Sequence, residues 1–304
     1  MPDLQLCGRE ILAWRSVELK LGGSAQELDW LLEFGGGLAR RDLQLLFIDP
    51  DRMVGMKQPL CDIDLLWKQF LDQNIPLQHL VGICPWRDLM LEVGSAALIP
   101  RQESELLLDL ALAIPRSAPV RRWADLGTGS GALAISLARA LPKAAGHAVD
   151  QSAQALAIAE RNFRSCRMDP SLALHQGSWW EPLSPWFGGF DLVLSNPPYI
   201  PSGLIDRLHP TVRDHEPRMA LDGGSDGLDC IRIIVAGAAE ALAPGGWLLL
   251  EHHHDHSQRV LALLQEQGLS HIGSASDLSG IVRFAMACRV SDGVKAQATQ
   301  VVSP

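Results

Sequence analysis

The chain has 304 residues, a length that suits two domains or one large α/β domain with an extension. Hydrophobic residues make up 47% and charged residues 20%, which provides ample material for a globular core. The net charge of −9 argues against a protein that wraps nucleic acid over a broad basic face. Six widely spaced cysteines and the lack of a long apolar run argue against a disulfide framework, a zinc ribbon and a membrane span, so we expect a soluble, cytoplasmic protein.

The first 80 residues predict several short helices. Apolar side chains recur at helical spacing, as at Leu28, Leu31 and Leu32, and few β-branched residues occur. Glycine pairs and the Asp49-Pro50 step predict the breaks between helices. We therefore predict a helical bundle over residues 1–80 that docks the substrate and carries no catalytic group. Imperfect alternation over residues 81–100 predicts a hairpin linker.

A catalytic α/β domain is predicted over residues 101–290, followed by a disordered tail at 291–304. Its first helix is expected at residues 105–114, with Gln102 or Ser104 as the cap. From Val120 onward, the order strand, glycine loop, helix, strand and helix is typical of a doubly wound parallel sheet. Further strands are predicted at residues 172–176, 190–195 and 247–250, around 272, and at 281–289.

A glycine-rich loop follows the first predicted strand of this sheet. Glycines at 127, 129 and 131 allow the backbone to approach a ligand at the start of the next helix. The next strand ends in Asp150, where an acidic residue can accept hydrogen bonds from ribose hydroxyls. With Asp125 just ahead of the loop, the pattern D-x-G-x-G-x-G resembles the S-adenosylmethionine site of class I methyltransferases more than a dinucleotide fingerprint.

The segment Ser195-Asn196-Pro197-Pro198-Tyr199 ends a predicted buried strand. The two prolines stop the strand because they fix φ and have no N–H to donate. The side-chain carbonyl of Asn196 and the neighbouring backbone carbonyls can accept two hydrogen bonds from one planar NH2 group, while Tyr199 packs on the plane of that group. The turn is thus suited to an amide or an amino-purine. An ordinary strand-to-loop turn is the alternative.

Two further clusters leave alternatives open. Of Trp179 and Trp180, one is expected in the core and the other over an adenine edge. His252, His253, His254 and His256 follow a predicted strand, and successive strand residues face opposite sides, so we predict no metal site there. Because ligands in such sheets bind outside the carboxyl ends of the strands, the glycine loop, Asp150, Ser178-Trp179 and Asn196 should share one rim.

The motifs in their order resemble the peptide chain release factor N5-glutamine methyltransferases, the HemK/PrmC family. The resemblance spans residues 80–290 and rests on Ile-Pro-Arg-x-x-Ser-Glu (99–105), Asp-Leu-Gly-Thr-Gly-Ser-Gly (125–131), Ala-Val-Asp (148–150), Ser-Asn-Pro-Pro-Tyr-Ile (195–200), Asp-Gly-Gly-Ser-Asp-Gly-Leu-Asp (222–229) and Leu-Leu-Leu-Glu-His (248–252). It implies a class I S-adenosylmethionine-dependent methyltransferase, with a Rossmann-like seven-stranded sheet and a small N-terminal helical bundle.

The resemblance also implies roles for individual residues. The cofactor S-adenosylmethionine would be held by Asp125, Gly127, Thr128, Gly129, Ser130, Gly131, Asp150, Trp179 and Asn196, and the substrate glutamine by Asn196, Pro197, Pro198 and Tyr199, with Asn196, Pro197 and Tyr199 catalytic and no metal. Many relatives have an acid just before the tryptophan, where this chain has Ser178. The implied partners are class I release factors, through their Gly-Gly-Gln loop, with no membrane and no direct nucleic-acid contact.

Three other functions stay open on the sequence. A ribosomal-protein glutamine methyltransferase shares the motifs, and only substrate assays separate it. An N6-adenine DNA methyltransferase would use the same turn chemistry, but the acidic charge and the lack of an evident base-recognition domain oppose it. A cofactor-binding scaffold without catalysis is the third, and the complete Asn-Pro-Pro-Tyr segment argues against it.

Overall fold

The computed structural model describes residues 4–116, 118–168 and 172–290, so the predicted disordered tail lies outside it. In chain order the helices and strands are β1 (Leu4–Cys7), α1 (Gly8–Leu21), α2 (Ala25–Phe34), α3 (Arg40–Leu46), β2 (Met53–Met56), α4 (Leu60–Gln73), α5 (Leu77–Val81), β3 (Ile83–Trp86), β4 (Leu89–Glu92), α6 (Ser104–Ala113), β5 (Arg122–Leu126), α7 (Ala132–Ala140), β6 (Ala145–Asp150), α8 (Ala153–Ser165), β7 (Leu172–Gln176), β8 (Phe190–Ser195), α9 (Pro210–Arg213), α10 (Asp229–Ala241), β9 (Leu242–Glu251), α11 (Ser257–Glu266), β10 (Ser270–Ser276) and β11 (Val282–Cys288). None of the described helices has the length and apolar character of a membrane span.

The chain divides into two compact units. The first contains the residues up to Ile83 together with His209–His215, and the second contains the remainder. The first unit is the predicted helical region, with α1 to α5 packed around a core that includes Ile11, Leu31 and Trp67. Ser24 accepts a hydrogen bond from the Glu27 backbone N–H and thereby caps α2. The new helix therefore begins directly after the glycines that follow α1.

Two features of the first unit were not predicted. Strands β1 and β2 pair antiparallel, with Leu4 opposite Met56, so the expectation of helices alone is wrong at these eight positions. Four residues are too few to show a period-two pattern, and the pairing partner is distant in sequence. The distant segment His209–His215 also belongs to this unit, and His215 Nε2 hydrogen-bonds the Gln73 carbonyl over 2.8 Å.

The second unit is built on the predicted seven-stranded sheet. Its strand order is β10-β11-β9-β8-β5-β6-β7. The five strands from β9 to β7 are parallel, and β11 and β10 continue the sheet antiparallel. Strands β7 and β8 have the predicted bounds, whereas β9 begins at Leu242 and not at Trp247, because its first residue pairs with Phe190 across a register shift. A separate hairpin of β3 and β4 precedes this sheet.

The strand order determines where the site lies. Strand β5 is central: the chain proceeds from it to β6 and β7 on one side, and then returns to β8 on the other side, so the strand order reverses at β5. A ligand crevice is expected at such a switch point, outside the carboxyl ends of the strands. The glycine loop follows β5, Asp150 ends β6, and Asn196 follows β8, so the three motifs meet at this edge.

Candidate active site

The glycine loop turns sharply between β5 and α7. Gly127, Gly129 and Gly131 have φ values of 77°, 54° and 87°, which glycine adopts without strain. A Cβ at Gly131 would lie 2.7 Å from Phe163, and one at Gly127 would lie 3.3 Å from the Trp179 ring. The loop therefore needs glycine both for its turn and for its close packing.

Asp150 is tied to the loop and to the start of α8. Its Oδ2 accepts a hydrogen bond from the Gly129 N–H and its Oδ1 one from the Ser152 N–H, each over 2.9 Å. Burial raises the pKa of Asp150, while these backbone hydrogen bonds lower it. The carboxylate is thus held rigidly, and each oxygen keeps a lone pair for a ligand hydroxyl.

Asp125 is not exposed to the cavity. Its side chain is 1% exposed, and its Oδ2 accepts a 2.7 Å hydrogen bond from the Thr128 hydroxyl. Burial raises the pKa of Asp125 to about 7. Its Oδ1 has no hydrogen-bond partner among the described residues. The position indicates a role in shaping the loop from beneath, and direct cofactor binding by Asp125 stays a prediction.

The two adjacent tryptophans have different environments. Trp180 is buried and donates a 2.9 Å hydrogen bond from Nε1 to the Ile234 carbonyl, so it is the core residue. Trp179 lines the cavity and has a φ of 46°, a conformation rarely adopted by a bulky residue. Ser178 also lines the cavity, and its backbone N–H donates to Glu181.

The Asn196 turn connects to two residues whose roles the sequence did not indicate. Asn196 Nδ2 donates to the Ser104 hydroxyl over 2.8 Å, and Ser104 donates to Glu251 over 2.6 Å. The Tyr199 hydroxyl donates to the other Glu251 oxygen over 3.1 Å. The N-cap of α6 is Glu103, so the prediction that Gln102 or Ser104 caps this helix is wrong. In the sequence, Glu251 could have been noticed as a charged residue directly after the apolar run of β9.

One cavity of about 320 Å³ joins these elements within the second unit. Of the residues predicted to form the site, those that line it are Gly127, Thr128, Gly129, Ser130, Asp150, Trp179, Asn196 and Pro198, whereas Asp125, Gly131, Pro197 and Tyr199 do not. Ala97, Ala155 and Ile233 add apolar wall. An apolar cleft with a few convergent polar groups is the usual form of a small-molecule site.

The histidines follow β9 as predicted, but they form a turn before α11 and do not continue the strand. β9 ends at Glu251 and a 3₁₀ turn covers His254–His256, so the argument from strand alternation does not apply. Ligand atoms of His253, His254 and Asp255 lie within 4.8 Å of one another. The absence of a metal at these residues therefore stays a prediction.

Comparison with known proteins identifies the family. The family model described as "Methyltransferase small domain" matches residues 102–206. A protein of Prochlorococcus marinus named release factor glutamine methyltransferase is 51% identical over 282 residues, which cover 92% of this chain and 96% of the relative. The chain belongs to the release factor glutamine methyltransferase family. A relative with the same name from Gloeobacter violaceus is 44% identical over 86% of this chain and 89% of its own length.

A solved structure of a family member is also similar. The release factor-specific protein-(glutamine-N5) methyltransferase of Alicyclobacillus acidocaldarius is 28% identical, with a TM-score of 0.39 over 66% of this chain and 99% of that chain. The family and the strand order of the sheet show a methyltransferase with a class I fold, as the motifs predicted, and its cofactor is S-adenosylmethionine.

The cavity residues fit this cofactor. A Cβ at Gly129 would meet only the Ala97 side chain, at 3.9 Å, so the loop leaves room for a ligand against its backbone. Asp150 offers carboxylate oxygens to a pair of ribose hydroxyls, and Trp179 offers a ring face to a base. When bound, S-adenosylmethionine supplies an electrophilic methyl group on a positively charged sulfur. The protein's own residues must then hold a nucleophile at the Asn196 end of the cavity.

Proposed function

We propose that this methyltransferase methylates the side-chain nitrogen of the glutamine in the Gly-Gly-Gln loop of class I release factors. The observation that carries this proposal is the shared cavity, which Asn196 lines together with the glycine loop and Asp150. The relatives' shared name supports release factors as the substrate class. In the reaction the nitrogen gains a methyl group, the carbon–sulfur bond breaks, and the nitrogen loses one proton.

Orientation is the main contribution we assign to Asn196. An amide nitrogen is a poor nucleophile because its lone pair is delocalised into the carbonyl. If Asn196 Oδ1 and the Pro197 carbonyl each accept one N–H, the nitrogen faces the methyl group in line for displacement. Such positioning can supply several kcal/mol of the barrier, and the two oxygens stabilise positive charge that develops on the nitrogen. The proton becomes acidic only as the methyl group arrives, so no general base is needed at the outset.

We assign the first unit to binding the body of the release factor. Its described residues expose large apolar side chains, among them Phe47 at 57% and Ile48 at 81%. Exposed apolar side chains are suited to contact with a protein partner. The negative net charge supports a protein partner without direct nucleic-acid contact. The free thiols of all six cysteines are consistent with action in the cytoplasm.

A labelling experiment tests this function. The purified protein is incubated with S-adenosylmethionine that carries an isotope-labelled methyl group and with a purified release factor, and the product is digested and mapped by mass spectrometry. We expect a single labelled methyl group on the glutamine of the Gly-Gly-Gln loop. A ribosomal protein and an adenine-containing oligonucleotide serve as competing substrates. Label on either of these, and none on the release factor, would contradict the proposal.

A further inference from the structure

A chain of hydrogen bonds connects the Asn196 turn to the start of α6 and the end of β9. It joins Asn196 to Ser104 and Ser104 to Glu251, and Tyr199 reaches the other oxygen of the same carboxylate. Three separate elements supply these groups: the first residue of α6, the last residue of β9, and the turn after β8. Ser104 is 5% exposed and Glu251 is 2% exposed, so the hydrogen bond between them is buried, while Ser104 and Asn196 both line the cavity.

The direction of each hydrogen bond follows from the chemistry of the groups. An ionised carboxylate only accepts, so Ser104 must donate its one proton to Glu251. The Ser104 oxygen is then an acceptor, and Asn196 has to present its NH2 group to it. The amide oxygen therefore points away from Ser104, toward the cavity that Asn196 lines. The reverse amide orientation would set oxygen against oxygen at 2.8 Å.

The two hydroxyl donors, and not the burial of the carboxyl, support this charge state. Burial raises the pKa of Glu251 above its ordinary value; the Ser104 and Tyr199 hydroxyls and Arg283 reduce this rise, and Glu103 adds to it. Burial and Glu251 together raise the pKa of Tyr199, so the phenol keeps its proton and donates it. Each carboxylate oxygen thus has its own hydroxyl donor, an arrangement that favours the ionised form.

We infer that Ser104 and Glu251 are positioning residues, which form a relay that fixes the Asn196 amide with its oxygen toward the substrate nitrogen and polarises that oxygen. This inference rests on the proposed function. Hydrogen bonds in a chain strengthen one another, and a carboxylate at the far end increases electron density on the terminal acceptor. The added electron density on the Asn196 oxygen stabilises the positive charge that develops on the substrate nitrogen during methyl transfer.

Variants of Ser104 test the relay in the full-length protein with a full-length release factor. Ser104→Ala removes the acceptor that selects the amide orientation, and we expect kcat to fall by about tenfold to a hundredfold, the loss typical when a group that orients a functional side chain is removed. The dissociation constant for S-adenosylmethionine should stay unchanged, which also reports that the variant is folded. Ser104→Thr keeps the hydroxyl and should keep most of kcat.

A matched control separates positioning from general stability. Ser270 is 9% exposed in the same unit and donates a 3.1 Å hydrogen bond to the Cys288 carbonyl. Ser270→Ala should lower the melting temperature and leave kcat unchanged. Ser104→Ala should lower kcat even at a temperature where both variants are fully folded.

Glu251→Gln provides an independent arm, because a neutral amide cannot accept from both hydroxyls. We expect kcat to fall, and the double variant with Ser104→Ala to be no slower than the slower single variant, since both act through Asn196. Wild-type kcat in Ser104→Ala, a folded Ser104→Thr as slow as Ser104→Ala, or losses that multiply in the double variant would each overturn the relay. If the wild-type protein itself does not label the release factor, the proposed function fails instead.

Discussion

The two units distribute polar and apolar side chains in opposite ways. Of the sixteen polar or charged side chains buried in the described residues, fifteen lie in the second unit, and Glu18 is the exception. Of the fourteen exposed large hydrophobic side chains, seven lie in the first unit, which contains less than a third of the residues. This contrast fits our proposals that the second unit performs the chemistry and that the first unit binds the partner. Variants in one unit should change turnover, and variants in the other should change substrate binding.

The largest effect is expected at the end of the relay. Asn196→Ala removes the acceptor for the substrate N–H, so kcat should fall by about 10² to 10³. The affinity for S-adenosylmethionine should stay close to that of the wild-type protein. Steady-state kinetics and titration calorimetry measure the two quantities. Unchanged turnover would exclude the amide clamp.

The next effect concerns the cofactor. Asp150→Ala removes a carboxylate that we expect to accept from ribose hydroxyls, so the affinity for S-adenosylmethionine should fall by about tenfold to a hundredfold, the value of hydrogen bonds to a charged group. Because Asp150 also accepts from Gly129 and Ser152, Asp150→Asn is the control that keeps part of this support. Equal affinity in all three proteins would contradict the ribose role.

A smaller effect is expected from the surface of the first unit. Ile48→Glu places a charge on its most exposed large hydrophobic side chain, and KM for the whole release factor should rise about fivefold, the effect of losing one interface side chain of moderate weight. KM for a short Gly-Gly-Gln peptide should not change. Leu278→Glu, at a 92% exposed position of the second unit, is the matched control. A rise for both substrates, or for both variants, would contradict docking by the first unit.

The smallest effect is on stability and its dependence on pH. Burial raises the pKa of Asp125 to about 7 from an ordinary value of 3.8, so the folded protein retains this proton over an interval in which the unfolded chain has lost it. The stabilisation is complete below about pH 3.8 and is lost as the pH rises through 7. Asp125→Asn should therefore gain of the order of 1 kcal/mol relative to wild type between pH 6 and pH 8 in urea unfolding. A difference between the two proteins that does not vary with pH would contradict the buried, proton-retaining carboxyl.

The two units also differ in how much of their structure could be predicted from the sequence. Strands β7 and β8 were predicted to the residue, and for β8 the reason is that a buried parallel strand is a short apolar run with clear ends. The pairing of β1 with β2 and the inclusion of His209–His215 in the first unit depend on contacts between distant residues, which leave no local pattern.

The site shows the same contrast. The glycine loop, Asp150 and Asn196 could be found because each follows a strand of the sheet. The relay could not, because Ser104 and Glu251 are 147 positions apart and their hydrogen bond exists only in the folded chain. Burial of Asp125 beneath its own loop was likewise invisible in the motif.

The most direct measurement is a crystal structure of the protein with S-adenosylhomocysteine and a Gly-Gly-Gln peptide. Our account predicts that the glutamine side-chain nitrogen lies about 3 Å from Asn196 Oδ1, a normal hydrogen-bond distance, on the side that faces the cofactor sulfur. Asn196 should still donate its NH2 group to Ser104. A glutamine side chain bound away from Asn196, or an Asn196 amide that presents nitrogen to the substrate, would contradict it.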